Sequence, residues 1–160
     1  MRQSIGGTWL LQLMILFILL FVGYIILTIN YSKTIKLKNE MISMVEKYEG
    51  LNENSVSLVN NYLKTSGYAV VGKCTHESES GIYGALDLNS NVLEEARPGV
   101  NYHYCIKKYK GANTSKYYQV TLFYKFNLPI IGNASEFTVK GTTTNFQAND
   151  DNIYSGVIGE

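Results

Sequence analysis

The chain carries two cysteines and two histidines, and they stand in mirrored order as Cys74-Thr75-His76 and His103-Tyr104-Cys105. A two-residue spacing puts both members of each pair on one side of a strand. Two such strands laid side by side would gather two thiolates and two imidazoles, the donor set of a tetrahedral zinc centre. The spacing is not that of the common zinc knuckles, which place their cysteines two to four residues apart. A disulfide between Cys74 and Cys105 asks only that the two strands be neighbours, and it is the simpler outcome for a domain outside the cytoplasm. Unpaired thiols are the third state. Such a bridge would close a loop of about 30 residues and add roughly 3–4 kcal/mol in the chain-entropy picture.

The remaining chemistry-bearing residues are sparse. Glu77/Glu79, Glu94/Glu95 and Asp150/Asp151 pair carboxylates in polar surroundings, where solvated surface is the expected role. Neither histidine stands with a serine and an acid in a nucleophile elbow. Gly81-Ile82-Tyr83-Gly84 lacks both the lysine and the strand-to-helix setting of a phosphate loop. Asn149-Asp150-Asp151-Asn152 could hold calcium weakly and lacks the EF-hand pattern. Asn113-Thr114-Ser115 and Asn133-Ala134-Ser135 fit the N-glycosylation acceptor pattern, which matters only in a secreting eukaryote. The sequence thus assigns no catalytic residue and no cofactor, and the four-residue zinc set is the weaker reading of its residues.

The elements that would position these groups follow from composition. The 160 residues hold 14 Lys+Arg and 13 Asp+Glu, and the pI is near 7.7. That balance argues against a nucleic-acid binder, which needs clustered basic excess. A mean hydropathy of −0.05 suggests an ordinary soluble chain, but it averages two regions. Residues 1–29 contain one charged group, Arg2. Over residues 8–29, a run of 22, 18 are Leu, Ile, Val, Phe, Met, Tyr or Trp. As a helix this run is about 33 Å long, enough for a hydrocarbon core of about 30 Å. It is too long for a signal-peptide core, and no small-x-small cleavage site follows it. Trp9 at one end and Tyr24 and Tyr31 at the other suit the two interfaces.

Lys33, Lys36 and Lys38 beyond the apolar run favour a cytoplasmic C-terminal bulk on a positive-inside count. The downstream region opposes this, being rich in Tyr, Asn, Ser, Thr and Gly, low in Lys and Glu, and equipped with two cysteines. The expected placement is therefore a single-pass anchor with residues 51–146 outside the cytoplasm. Met41, Ile42, Val45 and Tyr48 continue an apolar helical stripe through residues 30–50, with Gly50 as its stop. One helix is thus expected over residues 8–49, its second half laid on the domain that follows.

That domain reads as α+β. Asn52-Glu53-Asn54-Ser55 offers capping residues, Val56, Val59, Tyr62 and Leu63 share a helical face, and Gly67 ends the segment. Strand chemistry follows at residues 68–74. Residues 75–99 read as a long loop with one short strand near 83–88. Residues 102–109 and 117–127 alternate as a hairpin around the turn at 111–115, and 136–146 is a further strand. Residues 147–160 are expected to be a flexible tail. Helices first and consecutive strands afterwards imply an antiparallel sheet with helices on one face. Twelve of the 13 tyrosines lie beyond residue 30, enough to fill a small sheet and to make a contact surface.

The N-terminus, Met-Arg-Gln-Ser-Ile-Gly-Gly-Thr-Trp-Leu-Leu-Gln-Leu-Met, resembles that of the TadE-like minor pseudopilins of bacterial tight-adherence and type II secretion systems. In that family a short leader ends at a glycine, and a prepilin peptidase cuts it from a long apolar helix. The resemblance implies a leader of residues 1–7, cleavage after Gly7, a mature chain beginning at Thr8, and Gln12 where the family usually has Glu. A Glu there can neutralise the α-amine of a neighbouring subunit, whereas Gln can only hydrogen-bond to it. The match is specific over the first 50 residues and architectural beyond them, with residues 128–132 and 137–141 as weaker points of likeness. It implies a pilin-like fold and a non-enzymatic bacterial membrane component. The implied partners are membrane lipid, other pilin-like or secretion-system subunits, and the peptidase. The reading from another class is a membrane-anchored sensor or ligand-binding module using the loop at residues 75–99.

Overall fold

The computed structural model describes residues 2–74, 81–111, 115–125, 136–147 and 154–155. A single helix, α1 (Arg2–Lys47), runs for 46 residues, about 69 Å at the usual rise. No proline interrupts it, so nothing in the sequence breaks its hydrogen-bond ladder. It ends in a Schellman motif, in which Gly50 N–H donates to Val45 O at 3.1 Å and Glu49 N–H donates to Glu46 O at 3.1 Å. Glu49, with φ of 53°, occupies the left-handed position one residue before the glycine that the sequence offered as the stop.

The second helix, α2 (Glu53–Thr65), starts as its sequence dictates. Asn52 is the N-cap, its side chain accepts from Ser55 N–H, and the Ser55 hydroxyl accepts from Asn52 N–H, completing a capping box. At the other end Gly67, with φ of 67°, lets Tyr68 N–H reach Leu63 O.

The strands are β1 (Gly72–Lys73), β2 (Ile82–Gly84), β3 (Leu93–Glu95), β4 (Asn101–Tyr102), β5 (Tyr104–Lys110), β6 (Lys116–Lys125), β7 (Glu136–Thr142) and β8 (Tyr154–Ser155). Six of them form one sheet in the order β7-β6-β5-β2-β3-β8, and β1 pairs with β4 as a separate ribbon. Pairing in the sheet is antiparallel except at the β3–β8 edge, which is parallel. The fold is α+β, as the order of elements implied.

Several boundaries depart from the sequence reading, each for a local reason. Residues 68–74, read as one strand, make only the two-residue β1, which pairs with β4, and at the start of the segment the Tyr68 hydroxyl is bonded to the Phe123 backbone of β6. Residues 81–99, expected to be loop with one strand, supply two, and β2 pairs with β5 as an inner strand. The run 102–109 is split at His103, whose N–H donates to Ala85 O instead of continuing the ladder. The split shifts the facing by one residue, so Tyr102 packs on one side of the sheet and Tyr104 and Ile106 on the other. Within the expected flexible tail, residues 154–155 return to pair with β3.

Both helices lie on one face of the sheet. Leu37, Met41 and Val45 of α1 meet Val56, Val59 and Leu63 of α2 over Tyr104, Ile106, Tyr118, Val120 and Leu122. A smaller cluster of Ile82, Tyr102, Cys105 and Phe123 fills the opposite face. Phe123 is fully buried there although it falls among the polar positions of its strand's alternation.

Candidate functional site

The arrangement that matters most is the division of α1 into two halves with different surroundings. From Trp9 to Tyr31 its large apolar side chains are exposed, with Trp9 at 71% and Ile29 at 62%, while Met41 and Val45 are completely buried in the domain. In a water-soluble fold the first half would carry an unpaired apolar surface far larger than monomers tolerate. The helix is long and apolar enough to span a membrane, with a mean hydropathy of 2.8 in its most apolar window. Gly7, Thr8 and Gln12 all lie on this exposed half, and the helix runs through them without a break. Thr8 and Gln12, four residues apart, share a face.

Where the helix leaves its apolar stretch, aromatic rings tie it to the sheet. Tyr31 meets Tyr124 edge-on at 5.9 Å, and Tyr124 stacks on Phe137 at 5.1 Å. Further along, Glu46 accepts hydrogen bonds from Thr144 N–H at 2.7 Å and from Thr144 Oγ1 at 3.1 Å. α1 is thus fixed to the sheet at both ends of its buried half.

The mirrored Cys/His residues resolve into a cross-link. Cys74 and Cys105 form a disulfide with Cα atoms 5.5 Å apart, which fixes the end of the β1 segment to β5. With both sulfurs bonded to each other they cannot serve as thiolate ligands, so the zinc and free-thiol alternatives fall away. His76 lies outside the described residues. His103 sits beside the bridge in sequence, and its Nδ1 is buried without a hydrogen-bond partner among the described residues. Among the described residues no three His, Cys, Asp or Glu side chains gather as a metal site. Beneath the bridge, Gly84 is in close contact with the Tyr102 ring, and an added Cβ there would stand 2.9 Å from Cys74 Sγ.

Of the carboxylate pairs that the sequence offers, Glu94/Glu95 alone lies among the described residues. Glu94 pairs with exposed Arg97 at 2.8 Å, a contact of little energetic weight at the surface. Glu77, Glu79, Asp150 and Asp151 lie outside the described residues, as do Asn113, Asn133 and the 128–132 segment. Asp87 accepts from the Asn89 backbone N–H at 3.0 Å, and that bond holds its carboxyl below the usual range.

Two buried polar groups escaped the sequence reading. The Tyr68 hydroxyl donates to Phe123 O at 2.8 Å, lies 3.1 Å from His103 O, and accepts from Phe123 N–H at 3.0 Å. It therefore serves as a side-chain partner for the backbone of β6. The Tyr104 hydroxyl donates to Asn60 Oδ1 at 2.9 Å, and Asn60 Nδ2 donates to Ser90 O at 2.7 Å. Burial pushes the Tyr104 phenol far above the usual tyrosine range. Asn60 was visible in principle as a polar residue beside the apolar stripe of α2. Tyr68 carried no such signal, since its partners are backbone atoms distant in sequence.

No family model, curated protein or solved structure matches the chain.

Proposed function

We propose that this protein is a single-pass membrane component of the pilin-like, TadE-like kind, non-enzymatic, acting through helix–helix association in the bilayer and through contacts of the domain it carries. The observation behind the reading is the continuous helix α1, apolar and exposed over one half and built into the domain core over the other. A helix organised this way transmits the position of its lipid half to the domain without a hinge. Helix packing in lipid depends on close fit and on polar groups that find partners, and Gln12 is a long polar side chain that this half offers beside Thr8 and Thr28. The disulfide favours a domain outside the cytoplasm, where such bridges persist. The partly exposed, stacked Tyr109 and Tyr117 rings, 5.0 Å apart on β5 and β6, suit the aromatic contact surface expected of an interaction subunit.

Intact mass of the chain recovered from bacterial membranes that contain a prepilin peptidase tests the reading. A polypeptide beginning at Thr8 supports the pilin-like assignment. Retention of Met1 in such cells removes the processing step and leaves an anchored module of another kind.

A further inference from the structure

Beside the point where α1 leaves its apolar stretch, the helix, the segment after α2 and the end of β6 enclose a cleft of about 110 Å³. Asn30, Lys33 and Thr34 of α1 and Tyr124 and Lys125 of β6 line it, together with Gly67 in the segment after α2. None of the eleven described residues that line it is acidic, and Glu136 stands opposite Lys125 in the β6–β7 register. Thr34 Oγ1 donates to Asn30 O at 3.0 Å, and the side chains of Asn30, Lys33 and Lys125 are donor-bearing groups among the lining residues.

The position is as telling as the charge. Ile29 closes the apolar run, and Lys33 follows it by about 6 Å along the helix axis. If α1 spans the bilayer, this depth is that of the phospholipid headgroups. Tyr31 and Tyr124 flank the site with amphipathic rings of the sort that settle at the interface. Lysine ammonium groups beside a membrane attract anionic lipid, and basic pockets against membrane helices take lipid phosphates.

We propose that this cleft is a binding site for the phosphate of an anionic phospholipid headgroup, held between Lys33 and Lys125. The inference rests on the membrane-anchored reading given above. A bound headgroup would join the anchor to the sheet through one anion, adding to the Tyr31–Tyr124 contact and fixing the height of the domain over the membrane.

The test uses the full chain in nanodiscs of mixed phosphatidylglycerol and phosphatidylcholine, released into the gas phase, with retained lipid counted by native mass spectrometry. The expected result is a preference for phosphatidylglycerol of roughly tenfold or more, since each apposed ammonium contributes about fivefold. That preference should fall to near parity in K33Q/K125Q and persist in K47Q/K110Q, whose first lysine lies about 21 Å along α1 from Lys33. Equal loss in both double variants would overturn the proposal by showing a diffuse charge effect. Equal retention of both lipids by the unaltered chain would also overturn it. A final arm adds millimolar inorganic phosphate to phosphatidylcholine nanodiscs. Saturable binding there that is lost in K33Q/K125Q would identify a free-anion site and overturn the lipid assignment. Failure of the chain to enter nanodiscs at all would instead count against the anchored reading on which the inference depends.

Discussion

Single side chains hold this fold at places where backbone pairing stops. Tyr68 is the clearest case, because its hydroxyl satisfies both the N–H and the carbonyl of Phe123 in the buried end of β6. Y68F should therefore cost about 1–3 kcal/mol, the penalty for leaving a buried donor unsatisfied, read as a lower unfolding midpoint of the full chain in detergent. Tyr104 gives a pH signature. Its folded-state pKa is raised by burial, so its contribution is complete below the ordinary tyrosine value of about 10 and is lost as pH climbs above it. Stability should decline in that alkaline range, and Y104F should flatten the decline, as measured by thermal melts across pH. Gly84 is constrained by space and not by backbone angle, since the Tyr102 ring and Cys74 Sγ occupy the position of a Cβ. G84A should destabilise by about 1–3 kcal/mol through overpacking.

At the scale of elements, the disulfide holds the β1 segment, which has little pairing of its own, against β5. Reduction, or C74S/C105S, should cost about 2–4 kcal/mol, and hydrogen exchange should rise first in residues 69–74 and 101–102, the β1–β4 ribbon. The two helices were legible in the sequence because their signals are local: an apolar run, a helical stripe, an Asn-x-x-Ser cap and a glycine stop. The β5–β6 hairpin was legible for the same reason, through two alternating runs around a turn. What escaped was set by distant contacts. Residues 81–99 have weak periodicity because β2 and β3 are only three residues long, too short for alternation to show. The slip at His103 depends on a hydrogen bond to Ala85, which no local pattern records. The mirrored Cys/His spacing was real, but its outcome depended on which strands became neighbours.

The whole molecule is organised around one helix with two kinds of surface. Its first half exposes apolar side chains and is long and apolar enough to span a membrane, and its second half is the spine of a small α+β core. Hydropathy alone marks that division, since residues 1–29 carry a single charge. The proposed headgroup cleft leaves no such mark, because Lys33 and Lys125 are far apart in sequence and come to line one cleft only through the packing of α1 on β6. The proposed crossing of the membrane by α1 is tested directly by labelling from opposite sides of sealed vesicles. With the native disulfide left oxidised, and in cells lacking a prepilin peptidase so that residues 1–7 are retained, single cysteines are introduced as Gln3→Cys and Lys47→Cys and challenged with a membrane-impermeant maleimide. The account predicts that each is labelled from one side only and that the two sides are opposite. Labelling of both positions from the same side would contradict it.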